Sequence, residues 1–151
     1  MTKTLVSEID IDATPQRVWQ VLSDLAAYRE WNPFIVEAAG QAETGDRLTL
    51  RMQPVGGKAR TLRPTVIEVR EGELLRWLGR PGVPGILDAE HSFVIEGRDG
   101  SDTRLVQEER FRGVLVPFVA RSLDRGTLPA FIRMNEALKR RAERSVSSQR
   151  G

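Results

Sequence analysis

The chain contains no cysteine and a single histidine, His91, in 151 residues. Without cysteine there is no disulfide, no thiolate nucleophile and no sulfur-ligated metal. One histidine falls short of the clustered ligands that a zinc site uses, so no metal is expected. No apolar run approaches the ~20 residues that cross a bilayer as a helix. The formal net charge is only +2, too little to mark a nucleic-acid binder. The basic residues Lys139, Arg140, Arg141 and Arg144 have Glu136 and Glu143 among them. They read as the solvated last turns of a helix, with cations at the negative end of its dipole. A phosphate loop is missing too. Gly56-Gly57-Lys58 is followed by Ala59, and Met52 stands where the earlier glycine belongs. Neither a dinucleotide fingerprint nor a nucleophile elbow is found, and no cofactor is expected.

The length suits one domain, placed at 1–145, with a flexible polar tail at 146–151. Met1-Thr2-Lys3-Thr4 leads directly into strand-like sequence, without the apolar segment of an export signal. A cytoplasmic protein, monomeric or homodimeric, is the expectation.

Leu5, Ser7, Ile9 and Ile11 alternate with Thr4, Val6, Glu8 and Asp10, which is the period of a half-buried strand. Thr14-Pro15 then supplies a helix cap and a first helical residue that needs no N–H. Val18, Val21, Leu22 and Leu25 form one helical stripe. A second short helix over 26–31 ends at Asn32-Pro33, because the residue before proline is pushed out of the helical region. Strands are predicted near 34–40, 46–53, 59–70, 73–80, 87–97 and 103–113. The short loops between them make neighbours antiparallel. After Gly113 the period turns helical, carried by Leu115, Phe118, Val119, Leu123, Leu128, Phe131, Ile132, Met134 and Leu138. Gly126 and Pro129 interrupt it, so a kink or a break is expected there. The sum is an α+β domain. Six or seven antiparallel strands curve around a long C-terminal helix, with two short helices after the first strand. Such a sheet and helix should enclose a pocket of at least about 300 Å³, opening near 126–129.

Ala13-Thr14-Pro15-Gln16-Arg17-Val18-Trp19, followed by Asp24, Tyr28, Trp31, Asn32, Pro33 and Phe34, resembles the opening of START-like proteins. More narrowly, it is similar to the bacterial polyketide cyclase/dehydrase and lipid-transport group. The segments Pro84-Gly85-Ile86-Leu87-Asp88-Ala89-Glu90-His91-Ser92-Phe93 and Thr103-Arg104-Leu105-Val106-Gln107-Glu108-Glu109-Arg110-Phe111-Arg112-Gly113 share that resemblance. It implies the helix-grip fold with a ligand cavity under the last helix. Among such proteins are lipid carriers, hormone binders, aromatase/cyclases and hydratases. Gly40-Gln41-Ala42-Glu43-Thr44-Gly45 departs from the glycine-rich loop of the plant pathogenesis-related branch.

One constellation carries chemistry. His91, Phe93 and Ile95 share a strand face, as do Thr103, Leu105, Gln107, Glu109 and Phe111. An odd loop at 98–102 pairs 97 with 103, hence 93 with 107 and 91 with 109. Directly opposite residues have Cβ atoms about 4.5–5.5 Å apart, close enough for a charge-assisted pair. His91 and Glu109 either face the cavity and handle a polar group or a proton, or form a structural contact. Trp31, Phe34, Trp77, Phe93, Phe111, Phe118, Phe131 and Met134 are the candidate apolar lining, with Gln107 as a further polar group. Three functions follow. One is binding of a small apolar, aromatic or lipid-like metabolite. Another is a cyclase or dehydratase using His91 and Glu109. The third is a protein-interaction module with a closed cavity.

Overall fold

Period-two alternation drives the longest strand pairs. In the computed structural model, β1 (Thr2–Ile11) pairs antiparallel with β8 (Thr103–Arg112), and β8 with β7 (Asp88–Gly97). The sheet continues through β6 (Leu74–Gly79) to β5 (Thr65–Arg70), in the order β1-β8-β7-β6-β5. The structure describes residues 1–98 and 101–150, with side chains through Arg144. The tail expected over 146–151 lies outside the described side chains.

A second sheet holds β2 (Ile35–Ala39), β3 (Thr49–Met52) and β4 (Arg60–Leu62), in that order. A single antiparallel bridge, Arg47 to Thr65, joins it to the first sheet. The described residues therefore carry eight strands, where seven or fewer were predicted. The extra one arises because the run predicted at 59–70 splits at Arg63-Pro64. Proline has no N–H for the ladder, so pairing stops and resumes with a different neighbour.

The helices begin where the cap chemistry places them. The Thr14 hydroxyl accepts from the Arg17 N–H at 3.2 Å, and Pro15 opens α1 (Pro15–Ser23). A short 3₁₀ turn and α2 (Tyr28–Trp31) follow. The Asn32 side-chain oxygen then turns the chain into β2, accepting from Phe34 N–H at 2.9 Å and Ile35 N–H at 2.8 Å. At the other end, α3 (Val116–Ser122) runs through a π-helical turn (Leu123–Thr127) into α4 (Leu128–Arg150). The expected interruption at Gly126 and Pro129 is absorbed by that turn. A π turn shifts the bonding partners by one residue, and Pro129 can then sit in the first turn of α4.

α4 packs along the inner face of the five-stranded sheet, with Phe131, Met134 and Leu138 fully buried. Two polar ties hold its far end to the end of β1 and the residue that follows it. The Lys139 ammonium donates to the Asp10 carbonyl at 3.2 Å, and the Glu143 carboxylate accepts from the Asp12 N–H at 2.8 Å. Burial alone would raise the Glu143 pKa. The hydrogen bonds from Lys139 and from the Asp12 N–H, with the Lys139 charge, outweigh it and hold the carboxyl below its usual range. A depressed folded-state pKa contributes stability above the unfolded-state value, and that stability is lost as pH falls through the folded-state value. Glu143→Gln is therefore expected to cost about 0.5–1 kcal/mol in urea melts at neutral pH. Below the folded-state pKa the wild type should fall to the variant's level. An equal difference between the two proteins at every pH would refute the ties.

Candidate functional site

On the inner face of β7 and β8 the register is the one the loop parity implied. Gly97 pairs with Thr103, Phe93 with Gln107 and His91 with Glu109. On the other side His91 pairs with Trp77 of β6. The imidazole is fully buried among three aromatic rings. Its centroid lies 4.6 Å from Phe93, 5.0 Å from Phe131 and 5.2 Å from Trp77. Phe34 reaches the same group through Phe131, at 5.4 Å.

A chain of polar side chains crosses this apolar layer. His91 Nε2 is 2.9 Å from Gln107 Oε1. The Gln107 amide nitrogen donates to Asn135 Oδ1 at 2.7 Å and to the Phe131 carbonyl at 3.5 Å. The Asn135 nitrogen donates to Ser7 Oγ at 2.9 Å. A backbone carbonyl only accepts, so the group facing Phe131 must be the Gln107 nitrogen. Its oxygen then faces His91, which assigns the proton to Nε2. The other ring nitrogen, Nδ1, lies 3.4 Å from Glu109 Oε2, buried and without a hydrogen-bond partner. When the imidazole is neutral and Glu109 ionised, two acceptors face each other and stand apart. One proton placed between them, or a donor from a bound molecule, would satisfy both.

Keeping this pair inside is expensive. Buried ion pairs and polar chains are often less stabilising than well-packed apolar residues of the same volume. Glu109 retains slight exposure, 9 % of its side chain, while His91 has none. At the His91 end of the chain the carboxylate is thus the group that solvent or a ligand meets first, while Ser7, partly exposed, ends it on the other side.

Not all predicted lining residues join this cluster. Phe93, Trp77, Phe131, Met134, Gln107 and Phe111 are buried on the inner side. Trp31 is half-buried and packs edge-on against Tyr28 at 5.2 Å. Phe118 is a correction. Its side chain is 83 % exposed, because α3 turns Val116 inward and Phe118 to solvent. The cavity expected beneath α4 is a second correction. Where at least about 300 Å³ was expected, the rings of Trp77, His91, Phe93, Phe131 and Phe34 occupy the space. Nor does the interruption at 126–129 open a mouth. The Val55 N–H donates to the Gly126 carbonyl at 3.0 Å, so the β3–β4 loop lies on the π turn. A side-chain carbon at Gly126 would sit 3.1 Å from the Val55 carbonyl oxygen.

Surface depressions do occur on the opposite face of the sheet. One of about 240 Å³ is lined by Arg76, Glu90, Ser92, Val94, Glu108 and Arg110. Arg76 there bonds Glu68 at 2.7 Å and Ser92 at 2.8 Å, so its charge is already spent on neighbours. Asn135 and Ser7 escaped the sequence reading. Their signal was a polar residue interrupting an apolar face: Ser7 between Leu5 and Ile9, and Asn135 one helical turn after Phe131. Among the described residues no group of three or more His, Asp or Glu could hold a metal ion, and no helix is long and apolar enough to span a membrane.

The comparisons with known proteins agree with this architecture. A family model described as polyketide cyclase / dehydrase and lipid transport matches residues 2–143. The aromatase/cyclase ZhuI from Streptomyces sp. R1128 superposes with a TM-score of 0.80 at 19 % identity, covering 97 % of this chain and 96 % of that one. A START superfamily protein from Mycobacterium smegmatis gives 0.73 at 19 % identity, with 93 % and 97 % covered. Norcoclaurine synthase from Thalictrum flavum gives 0.75 at 14 % identity, with 96 % of each chain covered. At these identities the structural likeness speaks for the helix-grip fold alone. No curated protein matches the chain.

Proposed function

The chain belongs to the polyketide cyclase / dehydrase and lipid transport family, and from that premise we propose that it binds a small aromatic or lipid-like molecule carrying a hydroxyl group. The ligand would lie on the inner face of β6, β7 and β8, with His91 and Glu109 as its polar anchor. One observation carries the reading. His91 Nδ1 is buried, lacks a hydrogen bond and faces a carboxylate oxygen at 3.4 Å. A hydroxyl donor presented to the pair supplies the missing proton, and flat rings stack on the surrounding aromatics. An apolar surface with a few fixed polar groups is the usual make-up of a small-molecule site. Because the aromatic rings now fill the space, binding requires them to part. The route would open between the β3–β4 loop and the π turn, a contact that the backbone hydrogen bond from Val55 to Gly126 holds closed in the structure.

Native mass spectrometry of freshly purified protein should show a bound molecule. A hydroxylated anthraquinone serves as a defined probe, read by tryptophan fluorescence. Saturable quenching is expected in the wild type, weakened at least about tenfold in His91→Ala and in Glu109→Gln, the loss of one charge-assisted hydrogen bond. Binding that is unchanged in both variants would sink the anchor. A second reading, acid–base catalysis of a cyclisation or dehydration, draws on the same gap. A group that lacks one proton can take one from a substrate. It is favoured if both variants lose turnover of a poly-β-keto substrate while still binding the anthraquinone.

A further inference from the structure

Six of the large apolar side chains left exposed gather at one end of the molecule: Met1, Val83, Ile86, Val114, Leu115 and Phe118. Backbone hydrogen bonds fasten their segments together. The Gly113 N–H donates to the Met1 carbonyl at 3.1 Å, Val114 N–H to Gly85 at 3.2 Å and Leu115 N–H to Ile86 at 3.1 Å. Gly113 makes the junction possible. Its φ is +133°, and a Cβ there would stand 2.3 Å from the Ile86 carbonyl oxygen. The β6–β7 loop is therefore clamped against the start of α3 with its apolar side chains outward. Phe118 is 83 % and Val83 68 % exposed, so neither contributes to the core. A contiguous exposed apolar group of this kind marks an interaction surface.

The charge around it tells what it meets. Arg112 lies beside Gly113, and Arg121 follows Phe118 on the same face of α3, with Arg125 one turn further. None of the three has an acidic partner within ion-pair distance among the described residues. The nearby acids are already matched: Asp88 faces Arg80 at 3.9 Å, and Asp124 faces Lys3 at 3.0 Å. An apolar tip flanked by arginines that make no ion pair among the described residues complements a surface that is anionic at its face and apolar beneath. We propose that this end docks on anionic lipid bilayers, with Phe118 and Val83 inserting at the headgroup boundary and Arg112, Arg121 and Arg125 meeting the phosphates. A basic, apolar protein surface would need acidic neighbours on a partner protein at the same spots. A second copy docking through this same patch would set its arginines against these.

The test is co-sedimentation of the full chain with vesicles of phosphatidylcholine alone and of phosphatidylcholine mixed with phosphatidylglycerol. Binding is expected to the mixed vesicles, at least about tenfold stronger than to the neutral ones. Raising salt should reduce it. The double variant Phe118→Ser/Val83→Ser and the charge variant Arg121→Glu should each weaken it severalfold. Ile132→Ser, which removes an exposed apolar side chain from α4, should leave it unchanged. All these side chains are exposed, so the variants should keep the wild-type melting temperature. Failure to bind either vesicle would overturn the proposal, and so would binding that ignores the double variant. A dimer in sedimentation equilibrium that the double variant dissolves would overturn it as well, by assigning the tip to a second copy.

Discussion

Replacing Phe131 with alanine is expected to cost about 3–5 kcal/mol, the range for losing a buried phenylalanine together with the cavity it leaves. Phe131 is fully buried on α4 and touches two sides of the inner layer, Phe34 at 5.4 Å and His91 at 5.0 Å. Few neighbours can collapse into the gap, since β7 and β8 are held by ladders on both sides. For a domain of this size the loss should lower the melting temperature by roughly 10 °C. The new void adjoins the aromatic group around His91. An apolar void of that kind stays dry and admits a small aromatic molecule. Benzene or indole should therefore restore part of the melting temperature of Phe131→Ala and leave the wild type unmoved. A loss below about 1 kcal/mol would mean that the inner layer is far looser than the ring contacts imply.

Gln107→Leu should have the next largest effect, about 2–5 kcal/mol. The glutamine is fully buried and serves three partners at once, accepting from His91 Nε2–H and donating to Asn135 and to the Phe131 carbonyl. Leucine fills a similar volume and leaves the His91 and Asn135 groups unsatisfied in a dry interior, where each orphan costs its own desolvation. The variant also releases the histidine tautomer. Because His91 is the only histidine, its ring nitrogens give two unambiguous ¹⁵N signals. In the wild type the proton should reside on Nε2. In Gln107→Leu the population should move toward Nδ1–H, which can then donate to Glu109 Oε2, now 3.4 Å away. Gln107→Glu keeps an acceptor opposite Nε2 and should hold the original tautomer, even though the donor to Asn135 is gone. An unchanged tautomer in Gln107→Leu would show that the amide does not orient the imidazole.

These two effects divide along the line between local pattern and tertiary contact. The strand that carries His91 and Phe93, and the one that carries Gln107, Glu109 and Phe111, are legible from alternation alone. Side chains in a strand point to opposite faces with period two, and the odd loop at 98–102 sets the register between the two strands. Cap chemistry at Thr14-Pro15 is equally local, since the hydroxyl reaches an N–H only three residues on. The helical period after Gly113 likewise determined that α4 would press an apolar face on the sheet, and with it Phe131 and Met134.

Other features were decided only by the assembled chain. Pro64 divides one expected strand into two because it lacks an N–H for the ladder, but that the two halves then join different sheets is decided by their neighbours in space. Phe118 follows the apolar period and still points to solvent, since α3 is short and has the core on one side only. Ser7 and Asn135 lie 128 positions apart and meet at 2.9 Å. Each looks in the sequence like a flaw in an apolar face. The sheet and α4 turn both flaws toward Gln107, and a buried polar group must find a partner wherever the fold brings one. Whether space remains beneath α4 is also a tertiary matter, because it depends on how five rings pack against one another. Alternation and helical period determine which face a side chain takes. Contact between elements far apart in the chain determines what that side chain then touches, and local periodicity holds no information about distance across the core.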